Sequence, residues 1–240
     1  MRKKFKASVS KDLQFEGSNE DGALLLLREN RALMLDGASD SYAARTWVKC
    51  VREGWLRTPG GVSFLESALE SYAKRVKQPE NWAKAAAFER GSFCTFLEVR
   101  FDQARMRLDI RAVGDTCVIG IDESGTLLWG FPLDSQHQFT SVPFALSSDP
   151  LTLGKQHELI LNGTHSFSIT IGSVATIILA TDAVAGWLLD EDRMIAHARI
   201  QEVLALRSKS EFLDLVRTER LKKTMRLDDS TIAILDVKDA

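Results

Sequence analysis

The apolar residues of this chain change period from two to about 3.6 and back, twice over, and that succession limits the folds open to it. Phe5–Val9 alternates, and Ala23–Leu27 and Ala32–Leu35 are short apolar runs joined by the polar connection Arg28-Glu29-Asn30-Arg31. These read as strands, the second and third as a hairpin. Ala44, Trp47, Val48, Val51 and Trp55 then recur at 3, 4, 7 and 11 residues, one face of a helix, with Asp40 or Ser41 placed to cap it. Phe64, Leu65, Ala68, Leu69 and Tyr72 make a second stripe behind Ser63, its expected cap. Glu66, Glu70, Lys74 and Arg75 lie off that stripe and read as a solvated face. Pro79 ends the region, and a short helix is expected near Trp82–Phe88.

Strand periodicity returns over Phe93–Phe101 and Met106–Val113, separated by the turn Asp102-Gln103-Ala104-Arg105. Cys117–Ile121 and Thr126–Trp129 flank Asp122-Glu123-Ser124-Gly125, a hairpin signal. Residues 131–172 are punctuated by Pro132, Pro143 and Pro150 and show little beyond a strand over Phe167–Ile171. Val174–Ala180 reads as a buried strand. Helical periodicity covers 184–189, 192–206 and 210–220, and Thr231–Val237 closes the chain as a strand. Two blocks of strands, each followed by helices, predict an α+β fold of antiparallel sheets with helices packed outside.

The 240 residues carry no repeat and no linker-like run, so a single domain over 1–240 is expected. Lys+Arg is 31 and Asp+Glu is 33, a net charge of −2, which excludes a globally basic nucleic-acid binder. The longest apolar stretch, Val174–Leu189, is interrupted by Thr181 and Asp182, so no membrane span is expected. The basic N-terminus has no apolar run behind it, so no signal peptide is expected either. Cys50, Cys94 and Cys117 form no C-x-x-C and no even set, which argues against a disulfide framework and for a reducing cytoplasm. Trp47, Trp55, Trp82, Trp129 and Trp187 read as packing residues. Nothing in the chain encodes an oligomeric state.

Acidic residues recur at one kind of place, the ends of strands. Glu20-Asp21 precede Ala23–Leu27; Asp36-Gly37 follow Ala32–Leu35; Gly114-Asp115 follow Met106–Val113; Asp182 follows Val174–Ala180; Asp228-Asp229 precede the last strand. Taken singly, each also suits a turn, a helix cap or a solvated loop. Taken together, strand ends can bring such carboxylates to one spot, where like charges need a cation between them. An all-oxygen ligand set suits Mg²⁺ or Mn²⁺ rather than Zn²⁺. His137, His157, His165 and His197 have no metal-ligand spacing.

In order, the chain shows Asn19-Glu20-Asp21, Leu35-Asp36-Gly37-Ala38-Ser39, Val113-Gly114-Asp115-Thr116, Ala180-Thr181-Asp182 and Asp228-Asp229-Ser230-Thr231. This series resembles the motifs of the metal-dependent protein phosphatase family, type 2C, over residues ~5–237 and in the family's order. The stretch from Phe131-Pro132-Leu133 to Pro143 is similar to compact bacterial members. The resemblance implies two packed antiparallel sheets flanked by helices, with two or three Mn²⁺ or Mg²⁺ ions at one end. It implies that Asp36 bridges two metals, that the Gly37 carbonyl ligates the second, and that Asp182 and Asp228 complete the first. Asp21 and Glu20 would hold metal-bound waters, and Asp115 with Asp182 a third site. The implied activity is hydrolysis of phosphoserine and phosphothreonine in phosphoproteins by a hydroxide bridging two ions, with Asp36 and Asp182 at its centre.

Three positions depart from the family pattern. Glu16 stands where the family often carries a phosphate-clamping arginine; Lys4, Lys6, Lys11, Arg28 and Arg45 are the candidate substitutes. Ala38-Ser39-Asp40 follows Asp36-Gly37 in place of a histidine- or methionine-glycine-glycine, so no histidine acid is available. Ala183 replaces the glycine of Thr-Asp-Gly, which matters only where a positive φ is required. Glu16 and Ala38 motivate a competing expectation, a pseudophosphatase that binds a partner and turns over little. Retention of Asp36, Asp182 and Asp228 argues against it, because clustered carboxylates without a metal cost stability. A small-phosphoester hydrolase is the other alternative.

Overall fold

Strands that bury both faces are apolar along their whole length, and the middle of this molecule is built of them. The computed structural model describes residues 1–59, 61–140, 143–161 and 166–237. His165 and the side chains of Glu16 and Trp82 lie outside the described residues. In chain order the elements are β1 (Arg2–Val9), β2 (Gly22–Leu26), β3 (Arg31–Leu35), α1 (Ala44–Arg57), α2 (Phe64–Arg75), α3 (Trp82–Arg90), β4 (Phe93–Cys94), β5 (Phe96–Asp102), β6 (Arg107–Val113), β7 (Cys117–Ile121), β8 (Leu127–Phe131), β9 (Leu146–Ser147), α4 (Leu153–Leu161), β10 (Ser166–Thr170), β11 (Thr176–Ala180), α5 (Asp182–Leu188), α6 (Arg193–Ala205), α7 (Lys209–Leu221) and β12 (Ser230–Asp236).

Two five-stranded sheets form, in the orders β1-β12-β11-β7-β8 and β10-β6-β5-β3-β2, with every named pairing antiparallel. Their inner faces meet in one core, where Met34, Leu97, Val99 and Ile110 of the second sheet share a cluster with Val118, Ile177, Leu179 and Leu235 of the first. Alternate residues of the first sheet, such as Ile119, Ile178 and Ile232, pack instead with Trp187, Ile200 and Phe212 of α5, α6 and α7. Leu33, Leu35, Phe96 and Val113 of the second sheet pack with Trp47, Trp55 and Phe64 of α1 and α2. The α+β fold expected from periodicity is therefore present as helices, sheet, sheet, helices. Each fully buried Leu or Ile contributes about 1.5–3 kcal/mol to this packing. Trp47, Trp55 and Trp187 are buried as expected, and Trp129 is half-buried. No described helix is long and apolar enough to cross a membrane.

The structure departs from expectation at particular places. Phe93–Phe101 is not one strand: β4 pairs with β9, while β5 pairs with β3 and β6. At Thr95 the β3–β5 register runs on, its N–H donating to the Asp36 carbonyl at 2.8 Å, while the Asp36 N–H turns to Thr95 Oγ1 at 3.0 Å and Cys94 bridges Gly37. Neither Asp40 nor Ser41 caps α1. Its N-cap is Ala43, whose N–H donates to Ser92 Oγ at 2.8 Å. Ser63 does stand at the N-cap of α2 but makes no side-chain capping bond. Residues 131–172 contain α4, whose buried Gln156 grips Ser147 of β9 through two 3.0 Å hydrogen bonds. Leu153, Leu159 and Ile160 of α4 pack against the α1–α2 core, and the buried polar Gln156 among them interrupts the stripe.

Phe96 is fully buried and stacks on Phe64 with ring centroids 5.3 Å apart, joining the second sheet to α2. Phe96→Ala is expected to cost about 3–5 kcal/mol, the range for buried Phe→Ala. Urea unfolding measures it, and a loss below ~1 kcal/mol would mean that this layer contributes little.

Candidate metal centre

Asp36 leaves the end of β3, and Thr95 fixes its backbone from both sides: the Asp36 N–H donates to Thr95 Oγ1 at 3.0 Å. Thr95 Oγ1 also lies 2.5 Å from Thr116 Oγ1, next to Asp115, so the ends of β3 and β6 are tied together. Gly114 turns the chain into Asp115 with φ +104°, and a Cβ there would meet Thr95 Cγ2 at 2.7 Å, so only glycine fits. Gly37 is needed for a different reason: a Cβ on it would lie 2.8 Å from the Glu20 carbonyl.

From the other sheet, Asp182 opens α5 just past β11, and Asp228 lies just before β12. Thr181 and Thr231 bind one another across these strand ends, and both hydroxyls donate to Asp21 Oδ2, at 3.2 and 2.7 Å. Asp229 is buried and used as a clamp, accepting the N–H groups of Lys11 at 2.7 Å and Glu20 at 2.6 Å. Arg220 of α7 braces the same region from below, donating to the carbonyls of Ser10 and Asp228.

A cavity of about 760 Å³ opens at this end of the sandwich, lined by Asp36, Gly37, Asp40, Asp115, Asp182 and Asp228 among others. Of the residues singled out from sequence, Asp36, Gly37, Asp115, Asp182 and Asp228 line it together. Asp21 lies behind them, close enough to raise the pKa of Asp36. Glu20 is turned to the side, with Oε2 held 3.0 Å from Lys11 Nζ. Ala183 has no positive φ and donates its N–H to Asp182 Oδ1 at 2.5 Å, so the departure from glycine is harmless. Arg226 is the residue the sequence reading missed. It lines the cavity and donates from Nη1 to Asp182 Oδ2 at 3.0 Å, from a loop with no periodicity to mark it.

The electrostatics follow from convergence. Burial pushes the Asp36 carboxyl well above the usual carboxylate range, and Asp21, Asp182, Asp115 and Asp228 push it further. Burial raises Asp21 to about 8, the hydrogen bond from Thr231 drawing it back and the charges of Asp229 and Asp182 adding to the rise. Asp115 rises to about 6 through burial and the Asp182 charge. Asp182 is also raised, by burial and by Asp228, and is drawn back by Arg226 and by a hydrogen bond with Asp36.

Among the described residues, no group of three or more His, Cys, Asp or Glu side chains is arranged to hold an ion. The donors nevertheless fit a hard cation. They are oxygen only, and Mg²⁺ keeps several waters and takes one or two carboxylates per ion. Asp36 and Asp182 stand close enough to share a hydrogen bond, and Asp21 Oδ1 is buried without a partner. A carboxylate pair and an orphaned acceptor are what a hydrated cation satisfies.

An acid whose pKa is raised by folding makes the folded state bind more protons than the unfolded one, so stability falls as pH rises through that window. With Asp115 at about 6 and Asp21 at about 8, the window runs up to about pH 8. In EDTA the protein is therefore expected to melt several degrees higher near pH 5.5 than near pH 8. A flat or inverted profile in calorimetry would mean that the carboxylates do not repel as described.

No family model matches this sequence, and no curated protein does. Solved structures do. A bacterial serine phosphatase superimposes with a TM-score of 0.60 at 14% identity, over 98% of this chain and 96% of that one. The catalytic domain of the serine threonine protein phosphatase PstP, in complex with 2 manganese ions, gives 0.57 at 16% identity over 97% and 96%. Serine/threonine phosphatase Stp1 from Staphylococcus aureus gives 0.57 at 15% identity over 96% and 92%. With two antiparallel sheets, helices on both outer faces and aspartates at one end, this chain has the fold of the bacterial serine/threonine phosphatases of type 2C.

Proposed function

We propose that this chain is a Mn²⁺- or Mg²⁺-dependent phosphatase acting on phosphoserine or phosphothreonine in proteins, with residues 1–240 as one domain. The observation that carries this reading is the convergence of Asp36, Asp115, Asp182 and Asp228 on one cavity, in the fold of serine/threonine phosphatases. Asp36, the Gly37 carbonyl, Asp182 and Asp228 would hold two ions, Asp115 and Asp182 a third, and Asp21 and Glu20 the waters around them. Bound there, the ions supply charge neutralisation at the phosphoryl oxygens and a water acidic enough to attack at neutral pH.

The chain's own groups set the rest. Thr181 and Thr231 orient Asp21, Asp229 fixes the backbone of Glu20, and Thr95 fixes that of Asp36. No histidine is among the described lining residues: His137 lies beside Glu191 and His157 near Glu66. The leaving serine or threonine oxygen therefore takes its proton from a carboxyl or from water. Phe93, Phe139, Pro143 and Phe144 give the cavity an apolar wall against which a peptide chain would lie. The buried thiols Cys50, Cys94 and Cys117 are unpaired, which supports the reducing cytoplasm as its place of action.

The competing reading, a phosphoprotein-binding module with little turnover, is favoured by the Arg226–Asp182 pair, which neutralises one expected ligand without a metal. Hydrolysis of a phosphothreonine peptide with Mn²⁺, with EDTA, and in Asp36→Asn and Asp182→Asn separates the two. Each substitution and EDTA are expected to cut turnover at least about a hundredfold while the chain stays folded. Mn²⁺ at a hundred times its Kd is expected to stabilise the wild type by about 2.7 kcal/mol. Turnover in EDTA, or in Asp36→Asn, would sink the metal mechanism. Mn²⁺ stabilisation without turnover would favour the binding module. Faster hydrolysis of para-nitrophenyl phosphate than of any phosphopeptide would favour a small-phosphoester enzyme.

A further inference from the structure

We infer that Arg226 binds the phosphoryl group of the substrate, an inference that rests on the phosphatase reading above. A phosphomonoester is largely a dianion near neutral pH, and the cavity it must enter is lined by five aspartates, Asp36, Asp40, Asp115, Asp182 and Asp228. Beside the ions, a positive side chain aimed at the phosphoryl group would offset the repulsion from those carboxylates. Arg226 is the one cationic side chain among the described lining residues.

Its geometry leaves it free to act. Nη1 makes both of its hydrogen bonds, to Asp182 Oδ2 at 3.0 Å and to the Phe139 carbonyl at 3.4 Å. A guanidinium has five N–H donors in a planar fork, so the Nε and Nη2 donors are uncommitted among the described residues. The side chain is 59% exposed while its partner Asp182 is 11% exposed, so the fork is anchored at one edge and open at the other. Anchoring reduces the side-chain entropy lost when an anion binds. A planar fork also matches two phosphoryl oxygens at once, which a lysine cannot do.

The basic residues nearer the N-terminus are committed elsewhere. Lys4 pairs with Asp236, Lys6 donates to the Ala23 carbonyl, Lys11 to Glu20 and Ser39, and Arg45 to the Gly17 carbonyl. None of them, nor Arg28, lines the cavity. The cation reaches the site on the loop before β12 that also carries Asp228.

Inorganic phosphate, titrated calorimetrically into the protein with and without Mn²⁺, is the probe, and the KM for a phosphothreonine peptide is the second readout. Arg226→Ala is expected to weaken phosphate binding and raise KM at least about tenfold, with Mn²⁺ affinity unchanged or tightened. Arg226→Lys is expected to recover part of the loss. Unchanged phosphate affinity in Arg226→Ala, with Mn²⁺ still bound, overturns this inference and leaves the phosphatase reading intact. Loss of Mn²⁺ binding in parallel with phosphate binding also overturns it, making Arg226 a brace for Asp182. Wild-type protein that takes up no Mn²⁺ removes the phosphatase reading, and this inference with it.

Discussion

Like charges brought together in a partly buried place raise one another's pKa, and the whole of one end of this molecule is shaped by that cost. Asp36 feels Asp21, Asp182, Asp115 and Asp228 at once. No single loop holds such a group together, because each carboxylate sits on a separate strand end and would retreat if its strand were free to shift. The restraint comes from the sandwich core. Met34 on β3, Leu179 on β11 and Ala233 on β12 are buried in one cluster, so strands bearing Asp36, Asp182 and Asp228 are locked by apolar packing just behind the carboxylates. Burial of hydrocarbon thus sustains an electrostatic arrangement that would otherwise disperse, which is how a strained site is carried by a stable scaffold.

The polar restraints are placed where packing ends. Thr181 and Thr231 share a hydrogen bond across β11 and β12 and turn both hydroxyls onto one oxygen of Asp21, leaving its Oδ1 without a partner. Thr95 does the same service for Asp36: its N–H donates to the Asp36 carbonyl in the β3–β5 register, and its hydroxyl takes the Asp36 N–H.

Much of this was legible in the residues. The strands β7, β11 and β12 are buried throughout, and largely apolar, because both of their faces are covered, and α1 carries its stripe because only one face is. The carboxylates were legible because each stands beside a recognisable strand. What sequence did not show depends on contacts between distant segments. The N–H of Ala43, at the head of α1, is satisfied by Ser92, 49 residues away, a contact no local pattern reveals. Helix α4 is secured by an amide grip on Ser147, which has no period. Arg226 is an arginine in a loop, indistinguishable in sequence from any solvated one until the fold sets it 3.0 Å from Asp182, 44 residues back. The cation comes from the loop before β12 and not from the connection around Glu16.

Asp228 and Asp229 show why adjacency says little about role. Asp228 lines the cavity. Asp229 is 3% exposed and accepts the N–H groups of Lys11 and Glu20, with the Ser10 hydroxyl 3.4 Å away. It thereby ties the chain between β1 and β2 to the start of β12. Glu20 owes its backbone position to that bond, and the Glu20 carbonyl in turn comes so near Gly37 that only glycine is tolerated there. One buried carboxylate therefore sets the spacing between the loop bearing Asp21 and the strand end bearing Asp36. The same loop that supplies a carboxylate and an arginine to the cavity supplies, one residue later, the clamp that holds the far wall of the site in place.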